Sequence, residues 1–228
     1  MSEHTDPQAV KHIVTKDGSS TLYAPGFDEH YHSIHGAVQE SLHVFIQMGL
    51  SALPDEGTVR IFEMGFGTGL NALLTYFHRG NRQVDYVGIE AFPIIWEQAK
   101  DLSYAKDMND PDAEVVFQRM HEADWEQPVA LTEGFTLTKL KTELNQVQAQ
   151  EPFDLIYFDA FAPNTQPELW TDEVMNLMFQ MLRPGGIWVT YSAKSSVRRA
   201  LIQAGLEVEK LPGPPGKREM LRASKPLQ

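Results

Sequence analysis

The stretch from Val59 to Asn71, VRIFEMGFGTGLN, decides the fold. It reads as a short apolar strand, then three glycines at alternate positions, and then the start of an apolar helix. Glycine has no Cβ, so a turn of this kind lets a ligand lie directly against the backbone. A glycine-rich turn between a strand and a helix is typical of nucleotide-type cofactor sites in α/β proteins, the class that we predict here.

Strands and helices alternate along the chain around this turn. We expect strands over 59–62, 84–89, 115–117, 153–158, 187–191, 206–210 and 219–222, and helices over 37–50, 70–78, 93–104, 138–150, 167–182 and 194–204. The alternation predicts a Rossmann-like α/β fold with a doubly wound, mostly parallel sheet of seven strands. Residues 58–228 would form this domain, with residues 1–57 as an N-terminal extension packed on it. The ligand of such a sheet lies outside the carboxyl ends of the strands.

Two acids at predicted strand ends indicate the kind of cofactor. A carboxylate at Glu63 would repel a pyrophosphate and attract the ammonium group of S-adenosylmethionine. Glu90 follows Gly69 by 21 residues, a spacing that suits ribose hydroxyls. We therefore predict S-adenosylmethionine as the cofactor, with a nicotinamide-dependent oxidoreductase as the alternative. The predicted cofactor contacts are Glu63, Gly65, Phe66, Gly67, Thr68, Gly69, Asn71 and Glu90.

The stretch from Phe153 to Pro163, FDLIYFDAFAP, indicates where the chemistry takes place. Asp159 stands where the fourth strand leaves the sheet, at the edge that also holds the cofactor. A carboxylate there can orient a substrate amine and accept its proton during methyl transfer; the alternative is that it caps the following turn. Phe161 and Pro163 could wall a planar base. Trp170 could stack on that base or pack in the core.

The composition excludes several chemistries. The 228 residues include no cysteine, so there is no thiolate metal site and no cysteine nucleophile to add to a pyrimidine ring. A methylated base would therefore be attacked at an existing nucleophile such as an amine. No apolar run approaches the roughly 18 residues of a membrane span, and the N-terminus lacks a signal-peptide pattern. We expect a cytoplasmic protein without a membrane partner.

Charge is distributed unevenly along the chain. The net charge of −12 argues against a nucleic-acid partner, but the stretch from Arg183 to Gln228 holds nine Lys/Arg and three acids. A local basic face can bind phosphates on an acidic protein, and a solvated surface is the alternative. Lys217 and Arg218, after a Gly/Pro-rich loop, are candidate contacts to such a substrate.

A histidine-rich segment near the N-terminus raises the question of a metal site. It contains His30, His32, His35 and His43, with Glu29 and Glu40 nearby. Histidine and carboxylate side chains bind metals, but a polar lid or structural histidines explain the segment better. We predict no metal.

Four sequence blocks resemble one known family, the methyltransferase domain of the bifunctional tRNA wobble-uridine enzymes (the MnmC type) that make 5-methylaminomethyl-2-thiouridine. The blocks are GAVQESLHVF at 36–45, EMGFGTGLN at 63–71, DAFAP at 159–163 with PELW at 167–170, and VRR at 197–199 with KREML at 217–221. The resemblance covers about residues 17–223. It implies a class I fold, S-adenosylmethionine as donor, tRNA as partner, methylation of the exocyclic amine of 5-aminomethyl-2-thiouridine, and a catalytic role for Asp159.

Two features depart from that family. Its bifunctional members carry a flavin-dependent oxidase domain, and none follows Gln228, so we expect a stand-alone form whose amine substrate another enzyme supplies. Members also have a Gly-Asp pair that holds the adenine amine, whereas residues 134–140 contain no acid. We expect adenine to be bound by backbone groups there or by His121 and Glu122. Methylation of a small-molecule amine, and a non-catalytic RNA-binding descendant, remain as alternative functions.

Overall fold

A computed structural model describes residues 10–14, 20–31, 36–108, 110–147 and 151–227. The strands are β1 Lys11–Val14, β2 Ser20–Ala24, β3 Glu29–His30, β4 Glu56–Met64, β5 Asn81–Ile89, β6 Pro128–Thr132, β7 Phe135–Leu140, β8 Phe153–Phe158, β9 Leu182–Thr190, β10 Glu207–Pro212 and β11 Glu219–Ser224. The α-helices are α1 Ala37–Ser41, α2 Leu70–His78, α3 Trp96–Ala99, α4 Tyr104–Asp107, α5 Ala113–Glu122, α6 Asp172–Met181 and α7 Ser195–Gln203. A π-helix spans Leu42–Gln47, and 3₁₀ turns span Leu50–Ala52, Leu144–Gln146 and Pro167–Trp170.

Within the described residues, eight strands form one sheet in the order β10-β11-β9-β8-β4-β5-β7-β6. The central pairings β9-β8, β8-β4, β4-β5 and β5-β7 are parallel, and the two edges are closed by antiparallel pairs. From β4 the chain proceeds outward through β5 to β7 and then returns to β8 on the other side of β4. The strand order therefore reverses between β4 and β8, and a ligand of such a sheet binds at the carboxyl ends of these two strands.

Helices cover both faces of the sheet, which confirms the predicted α/β class. Along β4, Ile61 contributes to a hydrophobic cluster with residues of α2 and α5, whereas Phe62 contributes to a second cluster with residues of α6 and α7. Successive strand residues point to opposite faces, so a single buried strand supplies both clusters. This two-sided burial explains why the central strands consist of almost continuous apolar runs.

The predicted strand over 115–117 is wrong, since these residues lie in α5. Val116 and Phe117 are buried, but Val115 is 58% exposed. Ala113, Val116, Phe117 and Met120 are the buried apolar positions, and their spacing is that of one helix face. Two of the three apolar residues, Val116 and Phe117, are therefore core positions of a helix, and the third, Val115, is a surface position.

The predicted helix over 138–150 is also wrong in its described part, residues 138–147, and residues 148–150 lie outside the described residues. Residues 135–140 form β7, which pairs with β5 and, in a hairpin, with β6. The observed sheet consequently has eight strands where we predicted seven: β6 and β7 are added, and the strand over 115–117 is removed. Phe135, Leu137 and Lys139 alternate as buried positions along β7, which is the two-residue period of a strand.

The described residues before Glu56 share the main core. Leu22 of β2 and Phe45 of the π-helix belong to the same cluster as Ile61 and Leu73. The division of the chain near residue 57 stays a prediction. No helix among the described residues is long and apolar enough to cross a membrane.

Candidate cofactor and acceptor site

A cavity of about 550 Å³ opens at the point where the strand order reverses, and its size is in the range of small-molecule sites. The glycine turn after β4 forms its floor. The residues after β5, β7 and β8 and the start of α6 form its walls. Its described lining includes Gly65, Phe66, Gly67, Thr68, Asn71, Glu90, Asp159 and Phe161.

The glycines after β4 allow three chain segments to meet. Gly65 has a φ of +86°, and a Cβ on it would lie 2.9 Å from the backbone oxygen of Asp159. The amides of Gly65 and Phe66 both donate to the Ile89 carbonyl, at 3.2 and 2.9 Å. Only a residue without a Cβ fits this left-handed conformation at such close contact. The turn therefore joins the ends of β4, β5 and β8 into one site.

Glu90 is bound to the glycine turn itself. Its carboxylate accepts hydrogen bonds from the amide of Gly67 at 2.9 Å and from the amide of Phe92 at 2.9 Å. Burial raises the pKa of Glu90, and these backbone donors act in the opposite direction. Each carboxylate oxygen accepts one of these bonds and keeps a further lone pair, so Glu90 can also accept from hydroxyl groups in the cavity.

Glu63, Asn71 and Asp159 form a hydrogen-bonded chain beneath and beside the cavity. The Asn71 amide nitrogen donates to Glu63 Oε1 at 2.9 Å and to Asp159 Oδ2 at 2.8 Å. Glu63 is fully buried and also accepts from the Tyr86 hydroxyl at 2.8 Å. Burial is the main reason that the pKa of Glu63 lies well above its ordinary value. The structure thus places Glu63 behind the cavity wall, in contact with it through Asn71.

Asp159 stands at the junction of the cavity and the loop that follows β8. Its amide donates to the Met64 carbonyl at 3.0 Å, which fixes the backbone beside the glycine turn. Burial raises the pKa of its carboxyl to about 7, and the hydrogen bond from Asn71 counteracts part of that shift. A carboxyl with a pKa near neutrality can accept a proton and release it at physiological pH.

The predicted substrate residues after Asp159 take different positions. The Phe161 ring lines the cavity and packs against Phe27 and Tyr31, with ring centroids 5.1 and 5.4 Å apart. Trp170 is buried; its indole nitrogen donates to the Phe161 carbonyl at 2.9 Å, and its ring packs on Phe158. Stacking of Trp170 on a substrate is therefore not supported by its position, and it instead holds the Phe161 loop. Pro163 is half-buried on that loop, outside the described cavity lining.

The two predicted basic contacts, Lys217 and Arg218, also take different positions. The Lys217 ammonium forms an ion pair with Glu40 at 2.8 Å and lies 4.0 Å above the centre of the Tyr191 ring. Arg218 is exposed and forms no ion pair with a described residue. The Lys217 side chain is therefore engaged by Glu40 and Tyr191, whereas the exposed Arg218 is available to a partner.

The predicted histidine cluster can be followed only in part, because His32 and His35 lie outside the described residues. His30 packs against the Tyr23 ring, and His43 contacts the Pro212 carbonyl at 2.8 Å. Within the described ranges, no three His, Cys, Asp or Glu side chains are grouped as a metal site.

The cavity has walls that the sequence analysis missed. The missed lining residues include Thr142, Glu143, Leu144 and Asn145, which follow β7 at the carboxyl edge, and Val174 and Leu177 of α6. The sequence does contain a signal for these walls: apolar and polar residues alternate along 135–138. That alternation indicates a strand, and its carboxyl end lies at this edge of the sheet. Neither His121 nor Glu122 is in the described lining. His121 Nε2 instead lies 3.0 Å from the Thr68 carbonyl and supports the glycine turn from behind.

Comparison with known proteins agrees with this geometry. The sequence profile of a family described as S-adenosyl-L-methionine-dependent methyltransferase matches residues 115–226. The tRNA 5-methylaminomethyl-2-thiouridine biosynthesis bifunctional protein MnmC of Idiomarina loihiensis is 34% identical over 216 residues, which are 86% of this chain and 35% of that protein. The MnmC protein of Cupriavidus metallidurans is 33% identical over 229 residues, 91% of this chain and 33% of that protein. The chain thus spans about a third of the length of these curated relatives.

Solved structures show the same fold. MNMC2 from Aquifex aeolicus superposes with a TM-score of 0.75 at 27% identity, covering 96% of this chain and 72% of that one. Spermidine synthase from Thermotoga maritima has a TM-score of 0.62 at 14% identity, covering 100% and 72%. At that identity the second likeness concerns the fold alone.

The residues present fit S-adenosylmethionine. Asn71 Oδ1 is buried without a hydrogen-bond donor among the described residues, and an ammonium group can supply one. The turn with Gly65 and Gly67 leaves the backbone open to a ligand, and Glu90 can accept from ribose hydroxyls. The chain therefore has the fold of the S-adenosyl-L-methionine-dependent methyltransferases, and it is similar in sequence to proteins of the MnmC type.

Proposed function

We propose that this protein methylates the exocyclic amine of 5-aminomethyl-2-thiouridine at the wobble position of tRNA. The observation that carries the proposal is the Asp159 carboxyl, which lies at the cofactor cavity with its pKa raised to about 7. The similarity to MnmC proteins supports the choice of substrate. The proposal places the reaction in the cytoplasm and requires a separate activity that supplies the aminomethyl group.

The chain's own residues account for positioning and proton transfer. S-adenosylmethionine, when bound, supplies an electrophilic methyl group on sulfur. Asn71, whose amide nitrogen donates to Glu63 behind it, would hold its ammonium end, Glu90 its ribose, and residues 142–145 its base. The substrate nitrogen forms the new N–C bond as the C–S bond breaks, and its N–H proton passes to the Asp159 carboxylate. Phe161 forms a wall against which a planar base can lie.

Incubation with labelled S-adenosylmethionine tests this proposal directly. We expect label in tRNA from cells that lack this gene, and digestion to nucleosides should place it in 5-methylaminomethyl-2-thiouridine. Heat-inactivated protein and tRNA that is already methylated are the controls. Label in another nucleoside would contradict the substrate, and absence of transfer with intact donor binding would contradict tRNA as the acceptor.

Most of the basic C-terminal side chains are engaged within the protein, which favours a small-molecule amine as the second candidate. Arg183 pairs with Asp154, Lys210 with Glu219 and Arg222 with Glu209, and Lys225 donates to the Phe179 and Leu182 carbonyls. Lys217 pairs with Glu40, and Lys194 contacts Asn164. The basic side chains of this stretch that form neither an ion pair nor a side-chain hydrogen bond with a described residue are Arg198, Arg199 and Arg218.

These three arginines provide a test between tRNA and a small amine. Replacing all three by glutamine is expected to weaken tRNA binding and to reduce the slope of log Kd against log salt by about one for each phosphate that the protein no longer neutralises. Lys210→Gln, which removes a paired charge from the same part of the chain, should leave the slope unchanged. Equal slopes in the two variants, with methylation of free amines retained, would favour the small-molecule acceptor.

A further inference from the structure

Asp159 also interacts electrostatically with two residues outside the described lining of the cavity, Glu40 and Lys217. Glu40 of α1 is 9% exposed and forms an ion pair with Lys217 at 2.8 Å, and the Lys217 ammonium lies over the Tyr191 ring. The Tyr191 hydroxyl donates to the Ala160 carbonyl at 3.0 Å, directly beside Asp159. The described walls of the cofactor cavity include none of these three side chains. This group therefore lies next to Asp159 but outside the described lining of the cavity.

The ion pair joins two distant parts of the chain. Glu40 precedes β4, whereas Lys217 lies in the loop between β10 and β11, at the edge of the sheet. A buried carboxylate is costly unless it is paired, so Glu40 holds this loop in place through Lys217. The Lys217 side chain is 34% exposed, and this leaves the pair open to solvent and substrate on one side.

We propose that Glu40 and Lys217 are positioning residues of the acceptor site, which close it against Tyr191 and balance the charge around the Asp159 carboxyl. The inference deepens the proposed function and rests on the role of Asp159 given there. It also gives Lys217 a place beside the reacting amine, where the sequence suggested a contact to RNA phosphate.

Six titratable groups among the described residues surround Asp159, and the ion pair of Glu40 and Lys217 is one part of that set. Those that interact with it are Glu40, Glu63, Tyr86, Tyr104, Tyr191 and Lys217. Burial raises the pKa of each of the three tyrosines, so they are neutral, and it raises the pKa of Glu63 well above its ordinary value. Glu40 raises the pKa of Asp159 and Lys217 lowers it. The two members of the pair thus act on Asp159 with opposite signs.

Because Glu40 and Lys217 shift the pKa of Asp159 in opposite directions, removing each charge gives a result that a purely structural role would not produce. In protein labelled with ¹³C at the aspartate carboxyls, the Asp159 resonance is identified by its loss in Asp159→Asn, and its titration midpoint should lie near 7. Lys217→Met removes a positive charge and should raise the midpoint by about one pH unit; Glu40→Gln removes a negative charge and should lower it by a similar amount. The double variant should lie between the two.

The controls separate charge from packing. Lys217→Arg keeps the charge and should titrate like the native protein, and Lys210→Met, which removes a paired charge from β10, should not shift Asp159. The acidic limb of the pH dependence of kcat should move in the same direction as the midpoint in each variant. Should Lys217→Met fail to fold, the nearly isosteric Glu40→Gln decides by itself: a lower midpoint supports the proposal, and no change overturns it.

The outcome does not depend on methyl transfer to tRNA. Shifts of both single variants in the same direction, or no shift in either, would overturn the role of the pair even in an active enzyme. Opposite shifts in a protein that methylates no tRNA would support the pair and contradict the proposed substrate instead.

Discussion

Asp159→Asn is expected to lower kcat for methyl transfer by about 10²-fold or more, the scale of a positioned general base. The asparagine side chain is nearly isosteric with aspartate, so the loop after β8 should keep its place beside the glycine turn. Asparagine cannot take up the proton that leaves the substrate nitrogen. The Kd for S-adenosylmethionine, measured by calorimetry, should change little, because the donor is held by the glycine turn, Asn71 and Glu90.

A matched control lies on the surface of α6. Asp172 is exposed, and Asp172→Asn makes the same chemical change at a residue outside the described cavity lining; its kcat should equal that of the native protein. Near-normal turnover in Asp159→Asn would show that Asp159 is not the proton acceptor. A loss of donor binding equal to the loss of kcat would assign it to the cofactor site.

The parts of the site that the sequence predicted are local. The glycine turn, Glu90 and Asp159 each directly follow an apolar strand, and carboxyl ends of neighbouring parallel strands meet at one edge. Their proximity follows from the strand order without knowledge of any side-chain contact. The hydrogen bond from Gly67 to Glu90 and the approach of Gly65 to Asp159 are the physical form of that proximity.

The parts that the sequence did not predict depend on contacts between distant residues. Residues 138–150 have a helix-like spacing of apolar positions, but pairing with β5 makes 135–140 a strand and brings Thr142–Asn145 into the cavity. Tyr31 enters the same cavity from the end of β3, about thirty positions before the glycine turn. No local period encodes such a pairing, so the sequence analysis did not include these residues in the cavity.

The prediction of a basic, phosphate-binding surface was limited for the same reason. The basic character of residues 183–228 suggested a surface for phosphates, but most of these side chains neutralise acids or bind carbonyls of the protein itself. A count of Lys and Arg cannot separate paired from unpaired charge. The distinction requires the partner, and for Lys217 that partner is Glu40, which lies 177 positions earlier in the chain.

Gly67→Val is expected to weaken S-adenosylmethionine binding by about 10²-fold or more, equivalent to roughly 2.7 kcal/mol. Gly67 has a φ of +50°, which a β-branched residue avoids, and its amide donates to Glu90. A Cβ there would lie 3.0 Å from Cδ1 of the Tyr31 ring. The larger valine side chain must therefore displace Tyr31 or enter the cavity, and either movement disturbs the place where the donor would lie.

Gly57→Val separates the site from backbone strain. Gly57 has a φ of +84° at the start of β4, yet nothing lies within 4 Å of a Cβ placed on it. Both variants force valine into a left-handed conformation, and both should lose thermal stability, but only Gly67→Val should lose donor affinity. An equal loss of affinity in the two would attribute the effect to backbone strain and not to the cavity. Unchanged affinity in Gly67→Val would mean that the donor does not bind against this turn, and the roles of Glu90 and Asn71 would fall with it.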